Sequence, residues 1–234
     1  MCVTPEMAGS ERPRRSSPST PIRALARDRE APVGMYLAIY AVSDATIERL
    51  HADPPLAWRL MDPESPDMEA KARADLQPRP GFFARMMGAK AEPPPAPPPP
   101  LELAPGEGDL GPDGDFEKSW QGLHYVLTGT AWEGEPPLNF LLGGGRQLDI
   151  WGHDNPLLTH SSADTRRIAD ALTGLSDEEA SRRVNREEIV RLDIYPGIWD
   201  DDDGVEYLLD EVRRLRETVS KVARRGMGLL VSIA

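Results

Sequence analysis

Five side chains able to bind or orient a small molecule fall in two short stretches of this chain: His124, Thr128 and Thr130 in LHYVLTGT, and Asp193 and Tyr195 in DIYPG. His124 and Thr128 lie one helical turn apart and so share a flank of any helix that contains them. An imidazole and two hydroxyls on such a flank can hydrogen-bond a ligand. A carboxylate and a phenol from a turn folded against it would complete the pocket. The five include no nucleophile, base and orienting acid in combination, so they are ligand-binding candidates and no catalytic residue is assigned. For His124 the competing reading is a hydrogen-bonded core histidine at the border of an apolar stripe.

Other polar groupings carry less. GlyGlyGly at 143–145 lacks the lysine and hydroxyl of a phosphate loop and follows no clear strand, so it reads as a flexible turn. His153, Asp154 and His160 are spread along a loop without the paired spacing of a structural metal site, and no metal or other cofactor is expected. His51, beside Asp53 at a helix end, reads as a solvated or capping histidine. The acidic run from Asp200 to Asp203 lacks the alternating ligands of a calcium loop. It reads instead as a helix start, with Asp203 and Glu206 as the capping box.

The elements that would position these groups follow from periodicity and caps. Phe116, Trp120, Leu123 and Leu127 recur at spacings of 4, 3 and 4, predicting a helix over 116–128 with one buried stripe, capped by Asp113 or Asp115 and closed by Gly129. Residues 36–42 read as a strand covered on both faces, and 229–233 as a closing strand beside it. Between them come helices begun by Ser43 or Asp44, by Ser161–Asp164 and by the capping box of Ser176 and Glu179, a short helix over 56–61, another over 187–192, and a short strand at 157–159. The last helix carries Val205, Leu208, Leu209, Val212, Leu215, Val219 and Val222 on one stripe. Asp210 with Arg214 and Glu217 with Lys221 are its expected ion pairs. Pro196 and Gly197 force a turn that folds Tyr195 and Trp199 inward.

Composition bounds the partners. The chain has 234 residues, a formal net charge of −12 and a single cysteine, Cys2. An acidic balance opposes binding to a phosphate backbone, so nucleic acid is not expected. One cysteine excludes an internal disulfide and suits a reducing compartment. No apolar run reaches the roughly 20 residues that span a bilayer, and no secretory signal is apparent, so the expected location is cytoplasmic and no membrane partner is expected. Residues 1–34, rich in proline, serine and arginine, read as a disordered arm, and Met35 directly before the first strand suggests a mis-assigned start. Seven prolines among residues 93–100 mark a disordered insertion at about 89–113.

LHYVLTGT at 123–130, DIYPG at 193–197 and the long helix ending in RGMGLLVSI together resemble the YfbM-like proteins, a bacterial family of unknown function. The resemblance covers most of residues 35–234. It implies a single α+β domain in the cytoplasm, with a small sheet including the first and last strands packed by several helices, and it carries over no activity, cofactor or site residue. On charge and the missing catalytic set, the chain reads as a protein-interaction or regulatory module, of which an immunity-like protein is one form, with a protein partner and an open oligomeric state. The alternative is a small-molecule-binding protein or enzyme with its pocket near His124 and Tyr195.

Overall fold

Four apolar segments pair into one antiparallel sheet in the computed structural model, which describes residues 35–64, 66–76, 101–108 and 114–234. The strands are β1 (Leu37–Val42), β2 (Arg146–Leu148), β3 (Leu157–His160) and β4 (Gly228–Ile233), in the order β1-β4-β3-β2. First and last strands therefore lie side by side, Leu37 opposite Ile233 and Val42 opposite Gly228. Leu37, Ile39, Ala41, Leu158, Leu229, Val231 and Ile233 enter one core, whereas Val42, Leu148, Leu157 and Leu230 enter a smaller one on the other face. Burial on both faces explains why β1 and β4 show little polar alternation.

The smaller core is closed by α1 (Asp44–Ala52) and α2 (Ala57–Met61), with α3 (Pro66–Leu76) beyond them. The larger one holds α4 (Trp120–Thr128), α5 (Ser162–Gly174), α6 (Asp177–Arg183), α7 (Arg186–Arg191) and α8 (Asp202–Arg224). The architecture is one α+β domain. Ser43, Ser161 and Ser176 cap α1, α5 and α6 through their hydroxyls.

Several expectations are corrected. Phe116 is buried but precedes a short 3-10 turn, so α4 begins only at Trp120 and has no side-chain cap. Nor has α4 a single stripe, for every residue from Trp120 to Leu127 is buried. The cap of α8 is Asp201, which accepts the Gly204 N–H at 2.7 Å, because in a run of four aspartates only the backbone turn decides which one faces the helix end. Arg214 pairs with Glu211 at 2.8 Å, and Asp210 pairs with Arg213. The sequence pattern predicts neither α3 nor β2.

Residues 1–34, 89–100 and 109–113 lie outside the described residues. Residues 101–108, assigned to the insertion, pack on the body. Gly108 donates to Ala41 O at 2.8 Å, and the buried Glu107 carboxylate accepts the Ser43 N–H at 2.5 Å and the Ala104 N–H at 2.6 Å. Glu107 thus serves the amide of the α1 cap, a task that a capping box gives to a residue of the helix itself.

Burial pushes the Glu107 carboxyl up, but its hydrogen bonds from Ser43, Ala104 and Thr46 outweigh this and hold it below the usual value. A depressed folded pKa stabilises above the unfolded pKa and is lost as pH falls through the folded one. Glu107→Gln turns one acceptor into a donor facing an N–H, and should cost about 1–2 kcal/mol at neutral pH. Urea unfolding should show that cost at neutral pH and a smaller one as the pH is lowered through the folded carboxyl's depressed range, where the parent loses the same stabilisation.

Candidate functional site

α4 is enclosed on all sides, so its polar side chains must find partners inside the protein. The ring Nε2 of His124 lies 2.9 Å from Glu133 O. A carbonyl only accepts, so Nε2 carries the proton and Nδ1 is a bare lone pair, which is buried without a partner. The ring is fully buried, and burial lowers its pKa to about 4, against weaker upward pulls from the Glu133 carbonyl and carboxylate. Thr128 Oγ1 donates to His124 O at 2.8 Å, and Thr130 bonds the same Glu133 carbonyl that His124 does. His124, Thr128 and Thr130 are therefore brought together, as a fastening that holds the loop at 129–134 onto α4.

Tyr195 reaches α4 through another residue. Gln121 Oε1 accepts the Tyr195 N–H at 2.8 Å while its Nε2 donates to Ala131 O at 3.2 Å. One amide thus joins the two segments that the site reading paired. The Tyr195 ring stacks on Trp120 with centroids 5.9 Å apart, and its hydroxyl accepts the Met35 N–H at 3.2 Å. No residue among His124, Thr128, Thr130 and Tyr195 lines any of the four cavities described here.

Asp193 is different. It ends α7 with φ of 52°, its N–H bonded to Val190 O and that of Ile194 to Ile189 O, the paired bonds of a left-handed helix terminus. At the same place after α8 the chain uses Gly226, with φ of 67°. An aspartate where glycine fits without strain is a pointer to function. Asp193 borders a recess of about 180 Å³ with Ile189, Val190, Ile194, Gly197, Trp199 and Asp200. Val190 is 62% exposed, and Ile198, between two lining residues, is 46% exposed.

The floor is rigid. Trp199 is buried, donates from Nε1 to Tyr195 O at 3.0 Å and stacks on Tyr207. Two glycines bring the neighbouring helices against this turn. A Cβ on Gly122 of α4 would lie 3.0 Å from the Trp199 ring, and one on Gly204 of α8 only 1.8 Å from Ile198 O. Around the rim, Asp200 to Asp203 are exposed. Among the described residues no basic side chain pairs with Asp193, Asp200 or Asp203, while Asp202 pairs with Arg186. Composition alone marked this acidic turn. What it missed was the recess, whose sequence signal is the aliphatic pair Ile189 and Val190 ahead of an aspartate at a helix end.

The other large concavity is a cleft of about 310 Å³ lined by Pro136, Asn139, Gly144, His160, Asp164 and Arg167 among others, adjoining one of about 240 Å³ that shares Gly144 and Asp164. Its charged groups are engaged with each other, Asp164 with Arg167 and Arg146 with Glu48. His160 Nε2 donates to Phe140 O at 2.9 Å. His153 bonds Asn155 O at 2.6 Å and Ser232 Oγ at 2.9 Å, separately from His160. Among the described residues no group of three or more His, Cys, Asp or Glu side chains is placed to hold a metal ion. No helix among them is long and apolar enough to cross a membrane.

Because its folded pKa lies below the unfolded value near 6.5, neutral His124 stabilises fully above that value, and the stability is lost as pH falls towards 4. The loss attributable to this ring is about 3 kcal/mol. His124→Gln should cost about 1–3 kcal/mol at neutral pH. Its unfolding free energy should also fall less steeply between those pH values, and an unchanged slope in urea titrations would show that the ring is not buried neutral.

The family model described as a domain of unknown function, DUF1877, matches residues 33–232. No curated protein matches the chain. Among solved structures, the protein of unknown function YfbM from Escherichia coli matches with a TM-score of 0.51 at 15% identity, covering 86% of this chain and all of that one. That likeness concerns the fold. With the family model spanning nearly the whole described body, the chain belongs to the DUF1877 family of proteins of unknown function.

Proposed function

We propose that the chain is a protein-interaction module that docks its partner on the recess at the end of α7. The observation that carries this reading is the conjunction of Val190 and Ile198, both large, apolar and exposed, with a buried, stacked Trp199 floor. A recess of about 180 Å³ is below the roughly 300 Å³ at which small-molecule sites begin. It suits one inserted side chain, the usual form of an interface anchor. Asp193 supports the same reading, because a strained aspartate is kept at a glycine position on the rim.

The test compares the tagged parent with a Val190→Ser/Ile198→Ser double variant and with Asp193→Gly, each used to recover partners from the source cell. The double variant should lose a protein that the parent retains, with its melting midpoint within about 2 °C, since exposed substitutions change stability little. Asp193→Gly should gain about 1 kcal/mol in stability by relieving the left-handed backbone, yet retain less partner. Equal recovery by all three would overturn the docking reading. A small-molecule reading rests instead on the 310 Å³ cleft. A metabolite that raised the midpoint of parent and double variant alike, with no partner lost, would favour it.

A further inference from the structure

Independently of that docking reading, we propose that the cleft between the loop at 136–145 and the start of α5 is a second site, which takes a small alkylammonium compound through Asn139 Oδ1 and Asp164. The first observation is an orphaned acceptor. Asn139 gives its Nδ2 proton to Gly134 O at 3.0 Å, which orients the amide and leaves Oδ1 buried with no partner. A buried acceptor left unpaired costs about 1–3 kcal/mol, so a ligand that donates to it gains that much in binding. Gly144, with φ of 73°, has no side chain beside this oxygen, where a Cβ would lie only 2.9 Å from it. Both residues line the cleft of about 310 Å³, a volume at which small-molecule sites begin.

The other groups of the cleft ask for the same donor. His160 gives its Nε2 proton to Phe140 O, so its ring offers only a lone pair at Nδ1. Hydrogen bonds from Ser161 and Arg167 hold the Asp164 carboxyl below its usual value, so it is an anion at neutral pH. Each of its oxygens serves one of these partners, and a carboxylate has about four acceptor sites, so capacity remains. Across this cleft and the adjoining one of about 240 Å³, the carboxylates of Asp44, Glu48 and Asp164 outnumber the guanidinium groups of Arg146 and Arg167 by one. Phe140 and Ile168 add an apolar wall for a short alkyl chain. A cation that carries N–H donors on an aliphatic stem answers all of these at once, whereas a carboxylate would meet only acceptors at Asn139 and His160.

The test titrates the full, isotope-labelled chain at about 0.15 M salt, where diffuse charge attraction is screened, with butylammonium, tetramethylammonium and butyrate. Butylammonium should shift the Asn139 side-chain amide and the Gly144 and Asp164 backbone amides saturably. It should bind at least about tenfold more tightly than tetramethylammonium, which has the same charge but no N–H. Butyrate should shift none of them. Asp164→Asn, which can still accept from Ser161, should weaken butylammonium about tenfold, and Gly144→Ala, which fills the space beside Oδ1, should do the same. Equal binding of the two cations, or an unchanged affinity in Asp164→Asn, would overturn the proposal. Shifts confined to residues 190–200 would overturn it too, because the acidic turn alone would then be attracting the cation. Tighter binding of β-alanine than of butylammonium would support the site and give the ligand a carboxylate held by Arg167, and tighter binding of 1,4-diaminobutane would support it with a second ammonium at Glu48. Partner recovery by Val190→Ser/Ile198→Ser reads the docking face alone, so either proposal can fail without the other.

Discussion

A helix buried on every side imposes an accounting that the rest of this structure answers except at Trp120 Nε1 and His124 Nδ1, which stay without a partner. α4 carries Gln121, His124 and Tyr125 into the interior, and each needs a hydrogen-bond partner that water does not supply. The partners come from four places: Ala131 and Glu133 of the following loop, the Tyr195 amide, and Glu188 of α7, whose carboxylate accepts from the Tyr125 hydroxyl at 3.1 Å. Even the last carbonyls of α4 are served, by Arg183, which donates to Leu127 O at 3.0 Å, a cation at the negative end of the helix. α6, α7 and the turn after them are thereby fixed around one helix.

That fixing gives the recess its shape. The Trp199 floor is held by the Tyr195 carbonyl, by Tyr207 and by the absence of a side chain at Gly122, beneath a small hollow edged by both aliphatic and acidic side chains. The buried polar groups of α4 are structural, and the exposed apolar groups of the turn are the ones in surplus. Hydrogen bonding inside and apolar exposure outside separate the fastening, built on His124, from the proposed docking face, built on Val190, Ile198 and Asp193. Family membership adds no activity to this division, since both the family and its structural relative are of unknown function.

Much of the fold was legible in the sequence because local signals and burial agree. Ser43, Ser161 and Ser176 cap helices as their spacing indicates, and the unbroken apolar runs of β1 and β4 do pair. The misses have physical reasons. Gln121 and His124 look like the polar flank of a surface helix, and only distant segments make them interior. α3 is dominated by charged residues. One of these, Glu69, is buried against Arg59 and Arg73, so its anchoring is ionic and shows little apolar period. β2 has three residues behind a glycine run, too few to show alternation. Of the five candidate residues, His124 and Thr130 meet at Glu133, Thr128 joins them through His124 O and Thr130, and Tyr195 is tied in through Gln121. Asp193 stands apart at the recess, because a shared helix flank specifies proximity but not whether the space beside it is filled.

The account depends on Gln121 as the link between the buried helix and the turn that forms the recess. Native-state hydrogen exchange of the Tyr195 amide in a Gln121→Leu variant tests that link directly. Loss of the acceptor should speed exchange at Tyr195 by about tenfold or more, with the Trp199 indole N–H loosened alongside, while β4 amides keep their protection, since a lost hydrogen bond of about 1.4 kcal/mol is one decade in local opening. Unchanged protection at Tyr195 in a folded variant would contradict the claim that α4 holds the recess in shape.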